Sequence, residues 1–208
     1  LFSRLKPEHK LKIVKTFKKF NKHTAMIGDG VNDLPAIKQA DIGIAMEEGS
    51  AITKEVADIV LLKNKFSLLP EIFNEGNKIV NSVNAISKLF LTKNFLVIYL
   101  TLASLLSILD FPLTPRRVSL LNVFSIGLPA FIITMRNKNT NKCKNFVHDV
   151  FSFVITSSTF MLLTSYITHN MISKLLDIQK QEIEMSVMAV LIILSVVNFF
   201  IVISESSE

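Results

Sequence analysis

The chain has 208 residues, half of them hydrophobic, with 23 Lys and Arg against 17 Asp and Glu and a formal charge of +6. So much apolar surface excludes intrinsic disorder, and a lone cysteine, Cys143, excludes a disulfide scaffold. The apolar residues are unevenly spread: residues 1–85 alternate apolar and charged, whereas 86–203 hold long runs almost without charge, which an ordinary soluble domain does not have.

In chain order, Pro7 to Phe20 reads as an amphipathic helix. Leu11, Val14 and Phe17 share one face, and Lys12, Lys15, Lys18 and Lys19 decorate the other. Ala25-Met26-Ile27 is a short apolar strand, Gly28 to Val31 a turn, and Asn32 to Ala40 helix-like, with Pro35 tolerable in its first turn. Ile42 to Ala45 reads as a second strand, Ser50 to Ala57 as a helix and Ile59 to Leu62 as a third strand. Helices alternating with short buried strands imply a parallel α/β sheet. Asp41 and Asp58 stand at strand starts and read as structural.

From Ser67, a plausible N-cap, the pattern is helical without a convincing stop until Asp110. Pro70 and Glu71 suit a first turn, and such a rod would be about 63 Å long. A break near Gly76 is the alternative, since an isolated Gly weakens a helix by about 1 kcal/mol. Four stretches are long and apolar enough to cross a membrane: about 89–109, 118–135, 146–167 and 185–203. They largely lack the polar stripe of a buried soluble helix.

Arg136, Lys138, Lys142 and Lys144 crowd the second connection, and the segment before the first span is rich in Lys. The positive-inside rule then puts the N-terminal part, the 136–145 loop and the C-terminus in the cytoplasm, with 110–117 and 169–184 outside. Arg116 and Arg117 count against this but are outnumbered. Cys143 would lie in a reducing compartment. The basic balance is thus mostly a topology signal. With no Trp and two Tyr, the chain lacks the stacking aromatics of a nucleic-acid surface, and no nucleic-acid partner is expected. The first residue is Leu and no signal-peptide pattern is present, so the chain is expected to be a segment of a longer protein.

The chemistry concentrates in Met26-Ile27-Gly28-Asp29-Gly30-Val31-Asn32-Asp33, two carboxylates and an amide at a strand-to-helix turn. Ligands of open α/β sheets bind at the carboxyl ends of strands. Gly28 and Gly30 would allow close backbone approach and unusual dihedrals. Asp29 and Asp33 offer hard oxygens suited to Mg²⁺ with phosphate, and Asn32 can donate to a phosphate oxygen. A plain Asp-Gly turn is the ordinary reading of Asp29-Gly30 alone.

The longer string from Gly28 to Met46, with Arg4 and Pro7-Glu8-His9-Lys10-Leu11-Lys12-Ile13-Val14 upstream, closely resembles the hinge region of the P-type ATPases. These belong to the haloacid-dehalogenase-like superfamily, and the likeness runs through the following helix and the paired spans. The resemblance implies a partial Rossmann-type α/β phosphorylation domain followed by an all-α bundle of four transmembrane helices. It assigns 1–64 to the end of the phosphorylation domain, 65–88 to a stalk helix, 89–203 to the membrane and 204–208 to a cytoplasmic tail.

It further implies aspartyl-phosphate formation from ATP, coupled to movement of a substrate across the plasma membrane. Asp29 would be the main Mg²⁺ ligand, Asp33 and Asn32 would hold the metal and the phosphoryl group, and Lys10 would offset phosphoryl charge. Gly28 and Gly30 would leave room for the cofactor. The family's Asp-Lys-Thr-Gly motif, nucleotide-binding domain, actuator domain and first four spans have no counterpart in these residues. ATP would be bound mainly by that upstream part, the expected partner of this one. The spans resemble the fifth to eighth of a pump.

Polar residues within spans mark a transport path. Here they are Thr92, Lys93 and Asn94, then Asn122, Ser125 and the Gly127-Leu128-Pro129 break, where Pro129 would free backbone carbonyls. Where calcium-type pumps carry a Glu and an Asp, the aligned positions here are Val97 and Ile126. Lys93 resembles a lysine of proton/potassium pumps and of lipid-flipping members, and could act as a tethered counter-cation, lower the affinity for a second ion, or snorkel to the cytoplasmic interface. The strings from Phe111 to Arg116 and from Ser125 to Phe131 resemble a bacterial cation-transporting branch linked to calcium uptake. A transported cation is therefore the expected substrate. The alternatives are a lipid flippase, a soluble-type phosphatase of the same superfamily and a non-catalytic remnant of a pump.

Overall fold

The computed structural model describes residues 4–106, 108, 112–136, 139–141, 145–175 and 179–207. Lys138, Lys142, Cys143 and Lys144 of the basic connection, Asp110 and Phe111 of the loop before the second span, the first span's last residue Leu109, and Asp177 lie outside them. The chain divides into two compact units, residues 1–72 and 73–208.

In the first unit, α1 (Pro7–Lys19) starts on Pro7, whose fixed φ suits a first helical position. Its Val14 is buried, while Phe17 at the end of the same stripe is half exposed. The strands β1 (Ala25–Gly28), β2 (Ile42–Met46) and β3 (Ile59–Leu61) form a parallel sheet in the order β1-β2-β3. Its register pairs Ala25 with Ile42 and Ile44 with Ile59. Between β1 and β2 come a 3₁₀ turn (Val31–Asp33) and α2 (Leu34–Gln39). Between β2 and β3 comes α3 (Ala51–Val56), capped by Ser50, whose side chain accepts from the Thr53 N–H. Parallel strands need such crossovers. Ala36, Ile37, Ile44, Ala45 and Leu61 form the core.

Asp41 and Asp58 hold the sheet's entry points. Asp41 Oδ2 accepts from Thr24 N at 2.8 Å and Thr24 Oγ1 at 3.0 Å, and Asp58 Oδ2 accepts from Gly43 N at 2.7 Å. Each thus stands just before one strand and fixes the start of its neighbour.

The helix α4 (Leu68–Leu105) is continuous through Gly76. In the second unit follow α5 (Pro115–Asn122), a π-helical turn (Val123–Gly127), α6 (Leu128–Arg136), α7 (Phe146–Leu175) and α8 (Lys180–Ser207). Four helical segments, Leu68–Leu105, Pro115–Arg136, Phe146–Lys174 and Lys180–Glu205, are long and apolar enough to cross a membrane. Leu96, Leu100, Leu121, Met161, Val187 and Leu191 form one core of this unit, and Ala85, Leu89, Ile133, Phe199 and Val202 a second.

The expected break at Gly127-Leu128-Pro129 is instead a π turn within continuous helix, with Leu128 at φ −63°, ψ −47°. Pro129 has no N–H to offer the carbonyl four residues back and its ring crowds that carbonyl. The wider π turn just before it accommodates both.

Polar contacts sort by end of the bundle. At one end Asn81 Nδ2 donates to the carbonyls of Asn139 and Asn141, both at 2.9 Å. There too the buried Lys88 Nζ lies 3.0 Å from Asp149 and 2.7 Å from Glu205, joining α4 to the start of α7 and the end of α8. The start of α5 meets the start of α8 through Arg117 Nη1 and Glu184 Oε2, 2.5 Å apart.

Candidate functional site

The strand β1 ends at Gly28, Asp29 and Gly30 bend the chain, and the 3₁₀ turn closes when Asp33 N donates to Gly30 O at 3.0 Å. This brings Asp33 inward, to 6% exposure. A buried carboxylate requires a partner, and Lys10 supplies it from α1, its Nζ 2.5 Å from Asp33 Oδ1. Of the residues singled out in the sequence, the structure brings these two into direct contact.

Gly28 is required by this packing. A Cβ there would stand 2.5 Å from Asp33 Cβ and 2.8 Å from Asp33 Oδ2. The expectation of unusual glycine dihedrals is not met, since no described glycine has positive φ and Gly30 is extended at φ −125°. Nothing lies within 4 Å of a Cβ built on Gly30, so that position contributes open space rather than special backbone.

Asp29 and Asn32 are exposed at the same turn. The Asp29 carboxylate has no hydrogen-bond or ion-pair partner among the described residues. Its peptide carbonyl is held, however, accepting from Ser50 N at 2.9 Å. Among the described residues no three His, Cys, Asp or Glu side chains group into a metal cage. Mg²⁺ rarely uses one: it takes one or two carboxylates and completes its shell with water and phosphate oxygens. An unengaged Asp29 carboxylate, open space at Gly30 and a second carboxylate fixed beside it fit that ion. One oxygen of Asp33, Oδ1, is engaged by Lys10.

Asp41, beside the sheet's other entry, has its carboxyl lowered from 3.8 to about 2, first by the Thr24 N–H and then by Lys18. Lys18 Nζ lies 3.0 Å from Asp41 Oδ1 and also donates to Gln39 O at 2.9 Å, so this group is structural.

In the second unit a small cavity of about 10 Å³, room for about one water, is lined by Thr92, Lys93, Ser125, Ser195 and Asn198 with apolar neighbours including Met161. Lys93 is half-buried. Thr92 and Ser195 return their hydroxyls to the carbonyls of Lys88 and Leu191. Ser125 Oγ, in the π turn, is buried and forms no hydrogen bond among the described residues, and neither does Asn122 Oδ1 one turn earlier. Pro129 is buried one turn further on. Asn94 is half-buried and is not among the residues lining this cavity. No carboxylate lines it, consistent with Val97 and Ile126 at the acidic positions of calcium-type pumps.

Ser195 and Asn198 were not singled out in the sequence. The signal was there, two polar residues three apart in the otherwise apolar fourth span.

A small parallel α/β sheet with an acidic turn, followed by four span-length helices, defines a membrane protein with an attached α/β unit. The family model of the haloacid dehalogenase-like hydrolases matches residues 6–67. The chain is 35% identical over 178 residues to the calcium-transporting ATPase CtpE of Mycobacterium tuberculosis, covering 81% of this chain and 22% of that protein. It is 37% identical over 155 residues to the probable cation-transporting ATPase exp7 of Streptococcus pneumoniae, covering 71% and 20%. It is 39% identical over 136 residues to a calcium-transporting ATPase of Bacillus subtilis, covering 65% and 15%. The chain is a homologue of the cation-transporting P-type ATPases, and it spans about a fifth of the length of the curated relatives it matches.

Proposed function

We propose that this chain serves a cation-pumping P-type ATPase, holding the metal and the transferred phosphoryl group at the β1 turn and lining part of the ion path in its spans. The observation that carries the reading is the 2.5 Å pair of Lys10 and the buried Asp33 at the carboxyl end of β1. Phosphoryl transfer asks the protein for positioning and charge stabilisation. Asp33 holds the Lys10 ammonium against the turn, Asp29 presents an open carboxylate, and Asn32 donates to phosphoryl oxygens. Bound Mg²⁺ would neutralise charge on those oxygens.

The phosphorylated Asp and most of the ATP site belong, in this reading, to an upstream part of the same protein. β1 is an edge strand of the described sheet, and a groove of about 540 Å³ runs beside it, lined by Leu5, Lys10, Ile13, Phe17 and Met26. Parallel sheets are normally covered and extended, so this edge suits an added upstream strand.

The cytoplasmic side is assigned to the N-terminal part, the 136–145 loop and the C-terminus. The bond from Asn81 to the 139–141 segment and the Lys88 cluster support a shared end for the early part of α4, this loop and the C-terminal end of α8. Arg117, whose charge opposed this orientation, is neutralised by Glu184. The residues 65–88 would form the stalk and 89–203 the membrane part.

The transported species is a cation, calcium being named for two of the three relatives and a cation for the third. A lipid flippase is the second reading, favoured by Lys93 in a cavity lined by no carboxylate. The cavity's size, about that of one water, favours a small ion. Lys93 then acts as a tethered counter-cation. ATP-dependent transport in inside-out membrane vesicles, loaded or unloaded with labelled cation, tests this. Accumulation or extrusion of the cation is expected, and translocation of labelled phospholipid without cation movement would overturn it.

A further inference from the structure

We propose that Gly49 and Ser50, in the loop after β2, are positioning residues for Asp29. The inference rests on the reading of Asp29 as the Mg²⁺ ligand, and deepens it. The Asp29 carboxylate is exposed and without a hydrogen-bond or ion-pair partner among the described residues, so no polar contact of its side chain sets its direction. Its direction is therefore inherited from its peptide, and the loop holds that peptide. Ser50 N donates to Asp29 O at 2.9 Å.

Ser50 is itself fixed from the other side. Its Oγ accepts from Thr53 N at 3.2 Å and lies 2.7 Å from Thr53 Oγ1, and Thr53 is fully buried. A chain of contacts thus runs from the core through the first turn of α3 to the metal-binding turn.

Gly49 is what lets the loop come this close. Its N–H closes a tight turn onto Met46 O at 3.0 Å. A Cβ at this position would stand 2.6 Å from Asp29 O, 2.9 Å from Met46 O and 3.2 Å from Asp29 C. All three are backbone atoms, which cannot step aside as a flexible side chain can. No described glycine has positive φ, so the demand at Gly49 is for space and not for a left-handed backbone. Any side chain there pushes the Asp29 peptide away. Partners that orient a metal ligand from behind typically carry about 10–100-fold in metal affinity.

Two substitutions separate the elements of this arrangement. Ser50→Ala removes the cap hydroxyl and keeps the N–H to Asp29. Ser50→Pro removes both, at a residue whose φ of −60° already suits proline. The comparison of the two isolates the bond to Asp29.

The test uses the complete polypeptide in native membranes, with Asp29→Asn as reference. Gly49→Ala and Ser50→Pro should raise the Mg²⁺ concentration for half-maximal phosphoenzyme by roughly 10- to 100-fold, while Ser50→Ala, which loses the cap but keeps the N–H to Asp29, should raise it by less. A loop that serves folding alone would lower the amount of protein and leave half-saturation where it is. Independently of ATP, amide hydrogen exchange on the purified wild-type protein should find the Ser50 N–H protected, and in Gly49→Ala exposed.

Unchanged half-saturation in both Gly49→Ala and Ser50→Pro, with Asp29→Asn inactive, overturns the proposal and leaves the Mg²⁺ reading standing. Wild-type Mg²⁺ dependence in Asp29→Asn overturns the Mg²⁺ reading and the proposal with it. If Gly49→Ala fails to accumulate, Ser50→Pro against Ser50→Ala decides. An unprotected Ser50 amide in the wild type contradicts the proposal without any variant.

Discussion

Lys10 and Asp33 stand 23 residues apart, on α1 and on the turn after β1, and their side chains meet at 2.5 Å. Asp33 keeps 9% of its side-chain surface and Lys10 32%, so the carboxylate is withdrawn from water and the ammonium reaches out to it. The pair fixes a positive charge beside the turn that also carries Asp29 and Asn32. The proposed chemistry depends on that placement.

Lys10→Ala is expected to slow phosphoenzyme formation by about 10²–10³-fold, the usual loss for one preorganised charge-stabilising group. Lys10→Arg keeps the charge in a bulkier fork and should recover only part. Initial rates of phosphoprotein formation at saturating Mg²⁺ check this. A rate equal to wild type in Lys10→Ala would remove the lysine from the mechanism.

Gly28→Ala and Gly30→Ala should behave oppositely in stability. The first drives a methyl into Asp33, an overpacking that costs about 1–3 kcal/mol. The second meets open space and should change stability by less than about 0.5 kcal/mol. Proteolytic unfolding of the α/β unit in purified protein measures both. Equal losses would mean that Asp33 does not pack as described.

These two glycines show what the sequence conveyed and what it withheld. Strand, acidic turn and helix were legible from Ala25 to Gln39, because apolar runs punctuated by Gly and Asp are local signals. Gly28 and Gly30 looked alike, and only the packing of Asp33 separates them. Gly49 gave no sign at all, since its role is a contact with Asp29 across the sheet's end. Lys10 entered through a family resemblance, as one lysine of many on α1. In the spans, apolar length identified the helices, and the polar positions Ser125 and Lys93 were visible. The π turn was read as a break because proline signals a lost hydrogen bond without saying how the helix absorbs it.

Asp41 makes the α/β unit acid-sensitive. Its carboxyl is held at about 2 by the Thr24 N–H and Lys18, below its ordinary 3.8. A lowered acid favours the folded state wherever the carboxylate is charged, so its contribution is complete above about pH 4 and disappears as pH falls through about 2. Asp41→Asn should therefore loosen the Thr24–Ile42 junction at neutral pH, and wild type and variant should converge toward pH 2. Amide exchange at Ile42, compared between the two proteins at each pH, reads this. A gap that persists unchanged at the acid end would contradict it.

Lys88 joins three helices of the second unit, and its ammonium also lies 5.4 Å from the Phe153 ring. Removing one partner of a buried ion pair costs about 3–5 kcal/mol. Asp149 and Glu205 are half exposed, so Lys88→Ala should cost less, about 1–3 kcal/mol. Thermal unfolding in detergent checks it. Lys88→Ala with wild-type unfolding would show the cluster to be ornamental to the bundle.

Ser195→Leu would fill the cavity that Ser125, Thr92 and Lys93 share. It should weaken the cation dependence of phosphorylation while leaving the Mg²⁺ dependence unchanged, because the two sites belong to different units. Parallel titrations with the transported cation and with Mg²⁺ read the two effects separately.

A pump working through an aspartyl-phosphate leaves a chemical signature that can be seen directly. The most direct measurement incubates native membranes with γ-labelled ATP and Mg²⁺, and resolves them on an acidic gel beside an antibody against residues 1–63. The account predicts a hydroxylamine-sensitive phosphoprotein that the antibody recognises and whose level changes with one cation. Antigen without any labelled band, at any mass and with any cation, would contradict it.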